Sequence, residues 1–239
     1  MSSVSPSSSP KRNFFSSTIA PEIRKIKSIL NKTTNDTYSG LIKDVLQVNV
    51  LDELDNSELV EDETRKNIDY QKMLPIVQIF LVNICFGKED ADTIRIYTQI
   101  FCEMRKKWSG RQGKVLLRVM ISEIDKFFKS YLSTEIDDNE RRKCFCIIRF
   151  FCGLYNEKVI PSQMVLVVNN SFCGDAEIKV EAFHRFISYT SKEIKKEAIY
   201  ARFKPSFEDL MRRSIKRTDF SIKKLNYDSE ITLKKMLSP

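Results

Sequence analysis

The chain has 239 residues, 42% hydrophobic and 30% charged, with a formal net charge of +8. That length supports a sizeable core, as two domains or one elongated array, while six Gly, seven Pro and no sustained apolar–polar alternation exclude a sheet-rich protein. The basic excess points to an acidic partner, nucleic acid before an anionic membrane surface, and no apolar stretch is long enough to span a bilayer.

Residues 1–20 are Ser-rich and read as a disordered arm, with Phe14 and Phe15 expected to dock onto the protein's own surface. The arm lacks the apolar core of a secretion signal, so the chain is expected to stay in the cytoplasm with reduced cysteines. Pro21 occupies a favourable first-turn position for a helix that places Ile23, Ile26, Ile29 and Leu30 on one side. A polar turn leads to a second helix, 35–47, with Tyr38, Leu41, Ile42, Val45 and Leu46 as its apolar face. Residues 51–69 form an acidic strip, read as a solvated connection.

Residues 74–86 and 94–108 form the next helical pair, turned at Gly87, Lys88, Glu89 and Asp90. A further helix, 114–131, turns Val115, Val119, Ile124, Phe127 and Phe128 inward. Its partner, 141–155, is apolar almost all round but carries Arg149, so it must be buried between neighbours with the guanidinium reaching a carboxylate, backbone carbonyls or solvent. Pro161 starts a helix over 162–172, 178–189 answers it, and a basic, mostly helical stretch over 192–224 follows. The class is therefore all-α, a right-handed solenoid of about four to five antiparallel helical pairs resembling HEAT repeats. The reading makes 21–224 one domain and 225–239 a C-terminal tail.

Catalytic patterns are missing. His184, beside Glu181 and Arg185, is read as a surface histidine without a nucleophile or paired carboxylate at a diagnostic spacing. Cys85, Cys102, Cys144, Cys146, Cys152 and Cys173 sit in apolar patterns with no Cys-x-x-Cys pair, so they read as small buried hydrophobes and no metal or cofactor is expected. The Gly110 to Lys114 stretch lacks phosphate-loop spacing and reads as a flexible turn. An enzyme is not expected.

Surface is what remains. Arg105, Lys106, Lys107, Arg111, Lys114 and Arg118 gather cations around one turn that also holds Trp108. Such a patch can neutralise RNA phosphates while the indole stacks on a base, or else Trp108 is tucked into the core. A second basic cluster, Arg212, Arg213, Lys216 and Arg217, is either another RNA contact or a solvated helix face.

The run from Ile23 to Thr34, with Leu30-Asn31-Lys32-Thr33-Thr34 at its end, resembles the opening of the middle domain of eukaryotic translation initiation factor 4G, where Leu-Asn-Lys-Leu-Thr stands. Arg141-Arg142 followed by Ile148-Arg149-Phe150-Phe151-Cys152-Gly153-Leu154-Tyr155 is similar to that family's Arg-Arg and Ile-Arg-Phe-Ile-Gly-Glu-Leu-Tyr segment, with Cys152 and Gly153 replacing Gly-Glu. The layouts of 77–104 and 180–194 also follow the family's order, so the likeness runs from about 21 to 220. It implies a crescent of paired helices that binds and activates a DEAD-box RNA helicase of the initiation factor 4A class and contacts mRNA. Other initiation factors and the small ribosomal subunit are further partners it allows, and no membrane is implied.

By this resemblance the candidate helicase surface comprises Leu30, Asn31, Lys32, Thr33, Phe86, Lys88, Glu89 and Asp90. The family's cap-binding-protein motif has no counterpart, because Lys43, Pro75, Ile136 and Ile160 stand where Tyr38, Tyr70, Tyr131 and Tyr155 would need Leu. The alternative is a helical RNA-binding, mRNA-processing or decay adaptor that activates no helicase.

Overall fold

The computed structural model describes residues 21–32, 37–48, 63–86, 91–108, 110–132, 137–165 and 177–195, with the single positions 201, 205 and 231. The described residues contain helices and no strand. Their long helices are α1 (Pro21–Asn31), α2 (Tyr38–Leu46), α3 (Glu63–Phe86), α4 (Ala91–Lys107), α5 (Arg111–Tyr131), α6 (Asp138–Asn156) and α7 (Glu177–Lys195).

Local sequence sets most of these bounds. Pro21 begins α1, where its missing N–H would have had no intrahelical acceptor. Asp137 caps α6 by accepting from the Glu140 backbone N–H at 2.7 Å. At the other end of α6, Lys158 adopts the left-handed conformation at φ 60°. The Val159 N–H then returns to the Leu154 carbonyl at 3.0 Å, so the helix stops there without a glycine.

Helix α3 begins earlier than the sequence reading has it, at Glu63, and passes through Pro75. The last residues of the acidic strip are therefore helical, with Asn67 exposed and Asp69 buried. Pro75 forfeits one backbone hydrogen bond, but Met73, Ile76 and Val77 around it are wholly buried, and that burial offsets the loss.

Packing follows a regular order. Helix α1 contacts α2 and α3, α2 contacts α4, α3 contacts α5, and α4 contacts α6, while α6 also meets α3, α5 and α7. With four neighbouring helices, α6 buries Cys144, Phe145, Cys146, Ile147, Ile148, Phe150, Phe151, Cys152, Leu154 and Tyr155. Edge-to-face rings run through the centre, from Phe80 to Phe101 at 5.7 Å and from Phe101 to Phe150 at 6.0 Å.

The α6–α7 contact settles Arg149 and His184. Arg149 is half-buried, which leaves it the solvent access that was one of the expected outcomes, and its guanidinium lies 5.4 Å from the Tyr189 ring centre. Arg141 and Arg185 both pair with Glu181, at 3.4 and 3.0 Å, and Arg185 lies 3.9 Å over Phe145. His184 is not a surface residue: it is 2% exposed, because it shares the buried face of Ala182, Phe183, Phe186 and Ile187. Burial pushes its pKa down to about 4.

Candidate functional site

The cationic turn joins α4 to α5. The Trp108 N–H closes the end of α4 on the Met104 carbonyl at 2.8 Å, and the indole is buried at 7% exposure. Base stacking by Trp108 is thereby corrected: the ring fills the core beneath the turn. Gly110 takes φ 77°, which a side chain would disfavour. A Cβ on Gly113 would overlap the Trp108 carbonyl oxygen and lie 2.9 Å from that of Arg105. The chain thus crosses itself in close contact, and the expected flexible turn is a packed one.

Arg111 fastens this turn to α3. Its Nε donates to Oδ2 of Asp69 at 2.8 Å, and Nη2 pairs with the same oxygen. Asp69 is itself buried, while the Arg111 side chain stays partly exposed, so solvent still screens the pair from one side. Arg111 is therefore a structural cation in this arrangement. Lys106, Lys107, Lys114 and Arg118 remain at the surface, all exposed, and the three lysines make no ion pair among the described residues. Arg105, at the base of the turn, is half-buried.

The other candidate surface lies at the C-terminal end of α1. Leu30 is fully buried and its carbonyl accepts from the Tyr97 hydroxyl at 3.1 Å, so it belongs to the core and not to a docking surface. Asn31 and Lys32 are exposed. The Asn83 side-chain amide donates to Oδ1 of Asn31 at 3.4 Å, which sets the end of α1 beside the last turn of α3. Phe86 ends α3, and Thr33, Lys88, Glu89 and Asp90 lie outside the described residues. So do Phe14, Phe15, Cys173, Arg212, Arg213, Lys216 and Arg217.

These surfaces sit at opposite ends of α3. Asp69 marks the cationic end and Asn83 the other, and at 1.5 Å per residue they are about 20 Å apart along the axis. Asp69, Gly113 and Asn83 are the positions that organise the two ends, and none is singled out by the sequence reading. The pairing of Gly110 with Gly113 beside a lone Trp was the available signal for the packed turn.

Among the described residues no group of three or more His, Cys, Asp or Glu side chains could hold a metal ion. Cys85, Cys144, Cys146 and Cys152 are buried and Cys102 half-buried. Burial pushes the thiols of Cys85, Cys102 and Cys144 up to about 12, which keeps them protonated and poorly nucleophilic. No described helix is long and apolar enough to cross a membrane. Among known proteins, the chain matches no family model and no curated protein significantly.

Proposed function

We propose that the chain is a right-handed stack of antiparallel helical pairs of the initiation factor 4G middle-domain type, acting in the cytoplasm as a translation-initiation scaffold. In this reading it binds and activates a DEAD-box RNA helicase of the initiation factor 4A class and contacts mRNA. The observation that carries the reading is the packing order, in which α1, α3 and α5 form one row and α2, α4 and α6 the other. Stacked helical pairs pack in that order. Supporting it, the segment that resembles the family most, Arg141 to Tyr155, lies in a helix packed against four others, as α3 and α4 also are.

The mechanism needs no catalytic group on this chain. The exposed polar end at Asn31 and Asn83 would hold the helicase, and the cationic end at Lys106 to Arg118 would hold RNA. Separated along α3, the two can be occupied together. A rigid body that binds the closed form of a two-lobed helicase more tightly than the open form shifts its population toward the closed form, by up to the difference in binding free energy. Calorimetric titration of the purified helicase into the full chain tests the contact. Asn31→Arg is expected to weaken binding at least tenfold, and equal affinity would remove the α1 end from the interface.

A further inference from the structure

We infer that the α4–α5 turn grips nucleic acid through phosphates alone, so that its RNA contact is indifferent to the identity, and even the presence, of bases. This rests on the RNA-contacting reading above and narrows its ligand to the sugar–phosphate backbone.

The first observation is the kind of group exposed. Lys106, Lys107, Lys114 and Arg118 are exposed around one turn. The three lysines each carry an ammonium, a compact point charge that neutralises phosphate oxygens well and lacks the planar fork that pairs with a base edge; only Arg118, a helical turn beyond Lys114, has such a fork. The second observation is a shortage of rings. Among the residues whose side chains are described, no Phe, Tyr or Trp is exposed, Trp108 included. Several half-buried rings are already engaged: Tyr70 bonds Glu123 and Lys126, Phe127 stacks on Tyr131 at 4.1 Å, and Tyr189 faces Arg149.

Stacking is what gives single-strand binders their hold on bases, at roughly 1–3 kcal/mol per base. Without it, adenine, uracil and a bare ribose phosphate present the same ligand to the turn. The packing of Gly113 against the Trp108 carbonyl, with the pairing of Arg111 to Asp69, holds the backbone that carries these cations in one arrangement. The turn therefore has no visible route by which Trp108 could leave the core to stack.

Four cations set the expected salt dependence. With about 0.7 counterions released per neutralised phosphate of a single strand, log affinity should fall with log salt at a slope of roughly −3. Fluorescence anisotropy of the full chain would compare oligoadenylate, oligouridylate and an abasic ribose-phosphate oligomer of equal length. The expected result is three affinities within about threefold, sharing that slope. Replacing Lys106, Lys107, Lys114 and Arg118 together by Gln should weaken all three equally and flatten the slope.

A preference above about tenfold for oligoadenylate over the abasic oligomer would overturn the inference while leaving RNA contact standing. No binding of any oligomer at low salt would overturn both. Unchanged affinity and slope in the quadruple variant would also overturn it, and if that variant lost helicase binding instead, the turn would be a protein-docking surface.

Discussion

A Cβ placed on Gly153 of α6 would lie 2.9 Å from Oγ1 and 3.0 Å from Cγ2 of Thr98 in α4. Thr98 cannot swing away easily, because it is buried and its hydroxyl donates to the Ile94 carbonyl at 2.8 Å. The two helices approach closely because Gly153 has no side chain there.

Gly153→Ala should therefore destabilise the fold by about 1–3 kcal/mol, since overpacking outweighs the gain of about 1 kcal/mol that Ala brings to a helix interior. Adding Thr98→Ala should restore part of the loss. Urea unfolding of the parent and the two variants measures this, and a Gly153→Ala protein as stable as the parent would show that the α4–α6 contact yields freely.

Arg111 and Lys107 should separate stability from RNA binding. Arg111→Gln breaks the pair with buried Asp69 and is expected to lower stability by about 1–2 kcal/mol while changing RNA affinity less than twofold. Lys107→Gln should do the reverse, leaving the unfolding midpoint in place and weakening RNA binding. If Arg111→Gln lost as much RNA affinity as Lys107→Gln, Arg111 would be a ligand for RNA as well as for Asp69.

Much of the helical layout was legible in the sequence, because apolar spacing reports burial directly. Phe145, Ile148, Phe151 and Tyr155 are all buried in α6, as their spacing requires. Pro21 marks the start of α1 plainly, whereas the start of α6 at Asp137, with Glu140 three residues on, lies in a charged stretch ahead of the apolar run and falls before the expected 141. The early start of α3 was hidden because Pro75 reads as a boundary and the acid-rich residues before it read as linker.

The candidate surfaces were less legible, since exposure depends on partners distant in the chain. Trp108 and Arg111 look alike as surface residues in a basic stretch, yet one is core and the other is claimed by Asp69, 42 residues away. The burial of His184 is hidden for a related reason. Its charged neighbours Glu181 and Arg185 suggest an exposed face, but both are partly covered by contacts with Arg141 and Phe145 on α6.

His184 gives the fold a defined acid sensitivity. Its pKa is lowered to about 4 in the folded chain by burial, below the ordinary histidine value of 6.5. The unfolded chain therefore takes up a proton first as pH falls, and stability is lost between about pH 6.5 and 4, amounting to roughly 3 kcal/mol. Above that window His184 is neutral in both states and contributes no pH dependence. Urea midpoints across pH 4 to 8 should decline in this window for the parent chain, and the decline should shrink in His184→Gln. An equally steep decline in that variant would assign the acid sensitivity to the carboxylates.

The most direct measurement of the scaffold reading is RNA-stimulated ATP hydrolysis by the purified helicase of the same cell, with and without this chain. Several-fold stimulation that saturates with the chain is expected, together with its reduction by Asn31→Ala combined with Glu89→Lys when circular dichroism shows the helices intact. A chain that neither binds nor stimulates any helicase of this class would contradict the account, leaving the RNA-binding adaptor in its place.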